Sequence, residues 1–249
     1  MTLPDTTHLL LALCMFLGAA LYTSVGHAGA SAYIALMALF GLPAATMRPT
    51  ALVLNIVAAS LTSVRFVRAG WFRWRTLWPL VLGSIPAAYL GGTIQLPPQY
   101  YRPVLGAVLL AAAIRLLWPK PLANAAGSHD APVPLGIATG AVIGLLSGLT
   151  GTGGGIFLSP ILLFLAWSET RTASGVAAVF ILCNSIAGLA GNYAAVKELP
   201  PDLPVFAGAV LLGALVGSTL GIGRLSSQAL LKALGGVLLI AAAKLFGVY

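Results

Sequence analysis

Gly148-Leu-Thr-Gly-Thr-Gly-Gly-Gly155 decides how this chain is read. The run lies in the middle of residues 131–168, a stretch with no Asp, Glu, Lys or Arg. A helix needs about 20 mostly apolar residues to cross a bilayer, so a stretch of this length is membrane sequence. Each glycine costs a helix roughly 1 kcal/mol relative to alanine. Three in succession at 153–155 are more than close packing asks for, since alanine or serine would also fit. The run is therefore read as a purposeful break between two apolar arms, a hairpin over 134–167 with its tip at 150–155.

Outward from this hairpin, charge-free stretches recur at 6–47, 76–101, 172–196 and 203–223. Only 7% of the 249 residues are charged and 59% are hydrophobic, whereas about a quarter are charged in an ordinary soluble domain. A water-soluble surface cannot be built from so few charges. The first apolar stretch lacks a basic flank and runs past residue 25 without a small-residue processing site, so it is read as a mature helix and not a cleaved signal. The net charge of +8 is carried by basic residues scattered singly, with no stripe of stacking aromatics, and a nucleic-acid partner is not expected. Cys14 and Cys183 lie in separate apolar segments without metal-ligand spacing. They are read as packing thiols, and no metal or other cofactor is expected.

A second, fainter hairpin precedes the first. Gly26-His-Ala-Gly29 aligns with Gly151-Thr-Gly-Gly154 at an offset of 125 residues, and Arg48-Pro-Thr with Arg171-Thr-Ala at 123. Gly83, Ala87 and Gly91 align with Gly213, Gly217 and Gly221 at 130, as do the alanine triplets beginning at Ala111 and Ala241. Four matches in one order indicate duplication. The fold expected is all-α: a polytopic transmembrane helical bundle of two repeats, 1–118 and 134–249, joined by a Pro- and Gly-rich linker at 119–133. Each repeat is a helix-turn-helix hairpin (7–40 or 134–167) plus three spanning helices. These are 49–66, 77–95 and 102–118 in the first copy, and 172–193, 204–221 and 230–247 in the second.

If both arms of a hairpin enter and leave on one side, each copy makes an odd number of crossings and the second copy is inverted. The basic residues agree. Arg65, Arg68, Arg73 and Arg75 mark a cytoplasmic loop by the positive-inside rule, whereas the equivalent loop with Lys197, Glu198 and Asp202 has no basic excess. Propagating that choice places Arg115, Lys120, Arg171, Arg224 and Lys232 inside as well. Arg48, Arg102, Lys197 and Lys244 fall outside, with both termini on the non-cytoplasmic side of the inner membrane.

Backbone leaves the helix inside hydrocarbon only where protein or a water-filled cavity satisfies it. The helical arms that follow the tips, starting near Ser31 and Ile156, aim free N–H groups and the positive end of a helix dipole at the turn, an arrangement that attracts anions. Two such tips brought together near the midplane make a substrate site of the kind secondary transporters use. The candidate binding residues are Gly26, His27, Gly29 and Ser31 of the first tip and Thr150, Gly151, Thr152, Gly153, Gly154 and Gly155 of the second. Asn55 and Asn184, in the spans that follow, either face the cavity or join helices. Arg48 and Arg171 either draw an anion to the cavity mouth or serve as interfacial anchors and caps. His27 is the deep titratable group and the candidate for proton coupling. Glu169 is read as an ion-pair partner of Arg171. Gly83, Gly91, Gly213, Gly217 and Gly221 are read as packing positions.

No nucleophile elbow, no His-Glu-x-x-His and no pair of mid-membrane carboxylates is present, so an enzyme is not expected. A channel around the same cavity remains the rival to a carrier.

The run 148–155 with Pro160 five residues on, the later Arg171-Thr-Ala-Ser174 and the duplicated layout resemble the sulfite exporter TauE/SafE family over essentially the whole chain. The resemblance implies a bacterial membrane permease for sulfite, sulfonates or related small sulfur-containing or carboxylate anions, with export the usual direction. Copy one departs from the glycine-rich form: His27 and Ala28 stand opposite Thr152 and Gly153, Ala30 opposite Gly155 and Ala35 opposite Pro160. The partners expected are the small anion, the bilayer and, as an option, a second copy in a homodimer.

Overall fold

A computed structural model describes residues 6–118, 129–193, 199–223 and 228–247. Regular structure among them is helical throughout. In order the helices are α1 (Thr6–Ser24), α2 (Ala30–Leu39), α3 (Ala44–Arg68), α4 (Trp74–Thr93), α5 (Pro98–Leu117), α6 (Val133–Thr150), α7 (Gly155–Phe164), α8 (Thr170–Gly191), α9 (Leu203–Gly223) and α10 (Gln228–Leu245). Thus a long helix, a ten-residue helix and three long helices occur twice. Most of the linker, together with Lys120, Lys197, Glu198 and Arg224, lies outside the described residues.

Both hairpins are interrupted where the glycines stand, between Ser24 and Ala30 and between Thr150 and Gly155. Their arms are unequal. α1 and α6 have 19 and 18 residues, whereas α2 and α7 have ten each, about 15 Å at 1.5 Å per residue and so half of a hydrocarbon core about 30 Å thick. The short arms are stopped by the Schellman geometry of helix ends. After α2, Leu42 N–H donates to Met37 O and Gly41 N–H to Ala38 O, with Gly41 at φ 78°. After α7, Trp167 N–H donates to Leu162 O and Ala166 N–H to Leu163 O, with Ala166 at φ 54°.

Long helices then pair through glycine. On α4, Gly83 and Gly91 rest against the carbonyls of Ile137 and Leu145 of α6; on α6, Gly140, Gly144 and Gly148 rest against those of Leu80, Ser84 and Ala88. The same contact joins α9 to α1, where Gly213, Gly217 and Gly221 meet the carbonyls of Phe16, Ala20 and Ser24. A side chain at these glycines would run into backbone, so they set the spacing of the helices, as small residues do in membrane bundles. In each pair, the first arm of one copy's hairpin packs along the fourth helix of the other copy. α3 and α8 cross at the centre in antiparallel register, with Asn55 on Ser185 and Leu52 on Gly188.

The outer faces are apolar: Leu13 and Leu17 on α1, Val142 and Leu145 on α6, and Leu212, Val216 and Leu220 on α9 are exposed. Contiguous apolar surface of this kind is not held in water. Five helices, α1, α3, α6, α8 and α9, are long and apolar enough to cross a membrane, and α4, α5 and α10 have 20, 20 and 18 residues.

Polar residues gather at the helix ends in two groups. At one end Asp130 lies 3.5 Å from Arg73 and 3.8 Å from Arg75, and Arg171 lies over Trp71. The other end holds the His8–Asp202 pair at 2.6 Å, Arg48 on the carbonyls that close α4, and Lys244 on Leu39 O at 3.0 Å. Arg171 stacks on the Trp71 ring at 5.4 Å. The Glu169–Arg171 ion pair expected from sequence is not among the ion pairs of the described residues.

Candidate functional site

Each tip holds one glycine that stops a helix and one that starts the next. Gly26, at φ 82°, closes α1: its N–H donates to Thr23 O, and that of His27 donates to Tyr22 O. Gly151, at φ 83°, closes α6 through its N–H on Ser147 O at 2.8 Å. Gly29 (φ 104°) and Gly154 (φ 79°) stand immediately before α2 and α7. All four conformations are left-handed, where L side chains are strained by about 1–2 kcal/mol. The first bonds of α7 run from Phe157 and Leu158 to Gly154 O, so the N–H groups of Gly155 and Ile156 have no acceptor within the helix.

Each tip is seated on the helix that follows the other hairpin. Gly26 lies against Ser174 of α8, and Gly151 lies against the backbone of Arg48 in α3. The two tips also meet. His27 Nε2 is 3.1 Å from Gly155 O and 3.1 Å from Ser159 Oγ, both on α7, while its Nδ1 is 3.2 Å from Val25 O. A neutral ring donates from Nδ1 to Val25 and accepts the Ser159 hydroxyl; a protonated ring donates to both carbonyls.

The remaining tip residues fall into two kinds. On the first hairpin they are paired internally: Ser31 Oγ with Tyr22 OH at 2.6 Å, and Ala28 O with Tyr33 OH at 2.5 Å. On the second, Thr150 donates to Leu146 O, leaving the Thr152 hydroxyl to donate to Thr150 Oγ1 at 2.9 Å; Tyr101 OH donates to Thr150 O at 3.3 Å. Gly153 packs on the Asn55 amide, with Ile181 and Ser185 Oγ beside it. Asn55 Nδ2 donates to Ser185 Oγ at 3.3 Å, and its Oδ1 is buried without a partner. Both amide atoms of Asn184 and Ser147 Oγ are likewise buried and unpartnered.

Of the two arginines, Arg48 touches the second tip at Gly151 with its backbone and Cγ, and its terminal guanidinium nitrogens reach the end of α4. Arg48 is buried and donates to Gly91, Gly92 and Ile94 carbonyls, the orphan acceptors at the end of α4. Arg171 is exposed on the Trp71 ring. Replacing Arg48 by Gln is expected to lower stability by about 3 kcal/mol, because a charged donor set is lost and carbonyls are left bare. Thermal unfolding of the purified variant checks this. An unchanged melting temperature with lost substrate binding would assign Arg48 to the ligand instead.

Sequence reasoning missed Ser147, Ser159, Tyr22, Tyr33 and Tyr101. Periodicity offered a signal for two of them: Ser159 is one turn beyond Gly155, and Ser147 is one turn before Gly151.

Apolar helices whose two interrupted hairpins meet inside the bundle define a multi-pass membrane protein of the transporter class. The chain belongs to the sulfite exporter TauE/SafE family, whose profile matches residues 11–245. It is 38% identical over 250 residues to "Probable membrane transporter protein y4hK" of Sinorhizobium fredii (strain NBRC 101917 / NGR234), covering 97% of this chain and 99% of that one. No solved structure matches significantly.

Proposed function

We propose that this transporter carries a small anion, such as sulfite, an organosulfonate or a related carboxylate, out of the cell. The anion binds where the hairpin tips meet, and the two hairpins rock against the other helices to expose it alternately. The contact of His27 with Gly155 and Ser159 carries this reading, because it joins two helix breaks distant in sequence at one place. Half-length α2 and α7 end at that place with their amide-bearing ends, and such ends attract anions.

Inversion of the second copy is supported by the antiparallel register of α3 on α8, which stand in equivalent positions of the two copies. The grouping of helix ends supports the sidedness: Arg73 and Arg75 share an end with Asp130 and Arg171, and the His8–Asp202 pair shares the other with Arg48 and Lys244. The arginine-rich end is assigned to the cytoplasm and both termini to the opposite face of the inner membrane. His27 is assigned the coupling proton.

Counterflow in proteoliposomes tests the reading. Vesicles loaded with sulfite or a sulfonate are expected to accumulate labelled external anion transiently, with saturation. Absence of counterflow for every small oxyanion, in protein that remains folded, would remove the anion assignment. Unitary currents in place of counterflow would make the protein a channel.

A further inference from the structure

Several basic residues that stand singly in the sequence are gathered by the fold where α3 turns into α4. Gly70, at φ 78°, makes the turn: its N–H donates to Val67 O, and that of Trp71 donates to Phe66 O. Trp71 O then lies where a side chain on Gly175 would run into it, while the Trp71 ring tilts on Phe66 at 5.2 Å and lies under Arg171 at 5.4 Å. The turn is thereby clamped to the start of α8. Arg68 in the last turn of α3, Arg73 and Arg75 around the start of α4, and Arg171 of α8 make one patch on three elements.

Charge in this patch is unbalanced. Asp130, 3.5 Å from Arg73 and 3.8 Å from Arg75, is shared between two guanidinium groups at distances beyond a good hydrogen bond. Glu169, just before α8, is the second carboxylate, and neither α4 nor α8 has an acid in its first turn. Four arginines thus stand against two carboxylates. Arg75 keeps 78% of its side chain exposed, and Arg68 is exposed with no ion pair among the described residues. Arg65, by contrast, is turned onto Leu215 O, Ser218 and Thr219 of α9. Between Arg73 and Arg75 the Trp74 side chain is 61% exposed. An indole exposed at the end of a spanning helix sits at headgroup depth, so the arginines beside it stand at the depth of lipid phosphates.

We infer that this corner binds the headgroup of an anionic phospholipid, its phosphodiester held between the α3–α4 turn and the start of α8 with Trp74 alongside. The guanidinium fork matches phosphate oxygens in pairs, and basic clusters at the ends of spanning helices recognise acidic headgroups. Ser174, next to Gly175 and one turn beyond Arg171, is the seat of Gly26 of the first tip. A lipid that holds the turn on α8 therefore steadies that seat. The site needs only the bilayer, and it stands whether or not the tips bind an anion.

Thermal unfolding of the full chain in nanodiscs tests it, comparing phosphatidylcholine alone with an equimolar mixture of phosphatidylcholine and phosphatidylglycerol. Phosphatidylglycerol is expected to raise the melting temperature by about 4 °C or more. Arg68→Gln and Arg75→Gln are each expected to lose roughly half of that rise or more. Both should melt like the wild type in phosphatidylcholine alone, because the two side chains make at most one long, exposed ion pair within the protein. Arg102→Gln removes an exposed arginine from the start of α5, which lies by the end of α6 and so opposite the patch, and is expected to keep the rise. No rise in the wild type, an undiminished rise in both patch variants, or an equal loss in Arg102→Gln overturns the lipid site. Soluble glycerol 1-phosphate that protects the protein in phosphatidylcholine as well as phosphatidylglycerol does would replace the lipid with a free phosphate ester.

Discussion

Gly154→Val is expected to abolish transport and ligand protection in a protein that still reaches the membrane. Gly154 is at φ 79°, where a β-branched residue is strained, and its Cβ would stand 2.7 Å from Ile143 Cγ2 and 3.2 Å from Phe180 Cε1. The backbone term is about 1–2 kcal/mol and the crowding about 1–3 kcal/mol. Both fall on the turn that aims the first amides of α7. Relief comes by moving that turn, so the loss appears in binding, about a hundredfold or more for a shift near 3 kcal/mol. Gly70 supplies the control, since it has φ 78° with nothing within 4 Å of the Cβ position. Gly70→Val bears the conformational term alone and is expected to keep transport. Wild-type counterflow in Gly154→Val would show that the tip is only a packing device.

His27→Ala is expected to reduce transport by about tenfold to a hundredfold, the equivalent of two hydrogen bonds at roughly 0.5–1.5 kcal/mol each. The substitution removes the Nδ1 bond to Val25 O and the Nε2 link to α7, which runs to Ser159 Oγ from the neutral ring and to Gly155 O from the protonated one, so the tips lose their common anchor. His27→Gln separates anchoring from proton carriage, because an amide supplies a donor and an acceptor but does not titrate. It is expected to retain counterflow while losing accumulation driven by a proton gradient. If it accumulates anion against the gradient as the wild type does, His27 is an anchor and the coupling ion lies elsewhere.

Much of this architecture was legible before any coordinate. Seven of the ten helices fall in or at the edge of the charge-free stretches, because length and apolarity suffice to place a helix in lipid, while α3, α5 and α10 carry arginine or lysine within their spans. The breaks at 26–29 and 151–154 were legible because left-handed turns demand glycine, and the duplication exposed the first, fainter break beside the second. The packing glycines of α4 and α9 were legible for a related reason, since a spaced row of small residues lets backbones approach. Arm length was less so: α2 and α7 are stopped after ten residues by Schellman turns, one of them on Ala166, which carries no glycine signal.

By itself, then, the sequence determined that this is an all-helical membrane bundle with two interrupted hairpins, since those features follow from local composition and from backbone conformations open to few residue types. What each polar side chain does was decided only by tertiary structure. Arg48 looks the same in sequence whether it meets an anion or closes α4, and only the approach of Gly91, Gly92 and Ile94 settles its donors on carbonyls. Ser147 is one serine among many until the fold buries its hydroxyl beside Gly154 with nothing to bond. His27 finds Gly155 and Ser159 across more than half the chain. A hydrogen bond depends on position to within tenths of an ångström, and residues so far apart in the chain reach that proximity only through the packing of every helix between them.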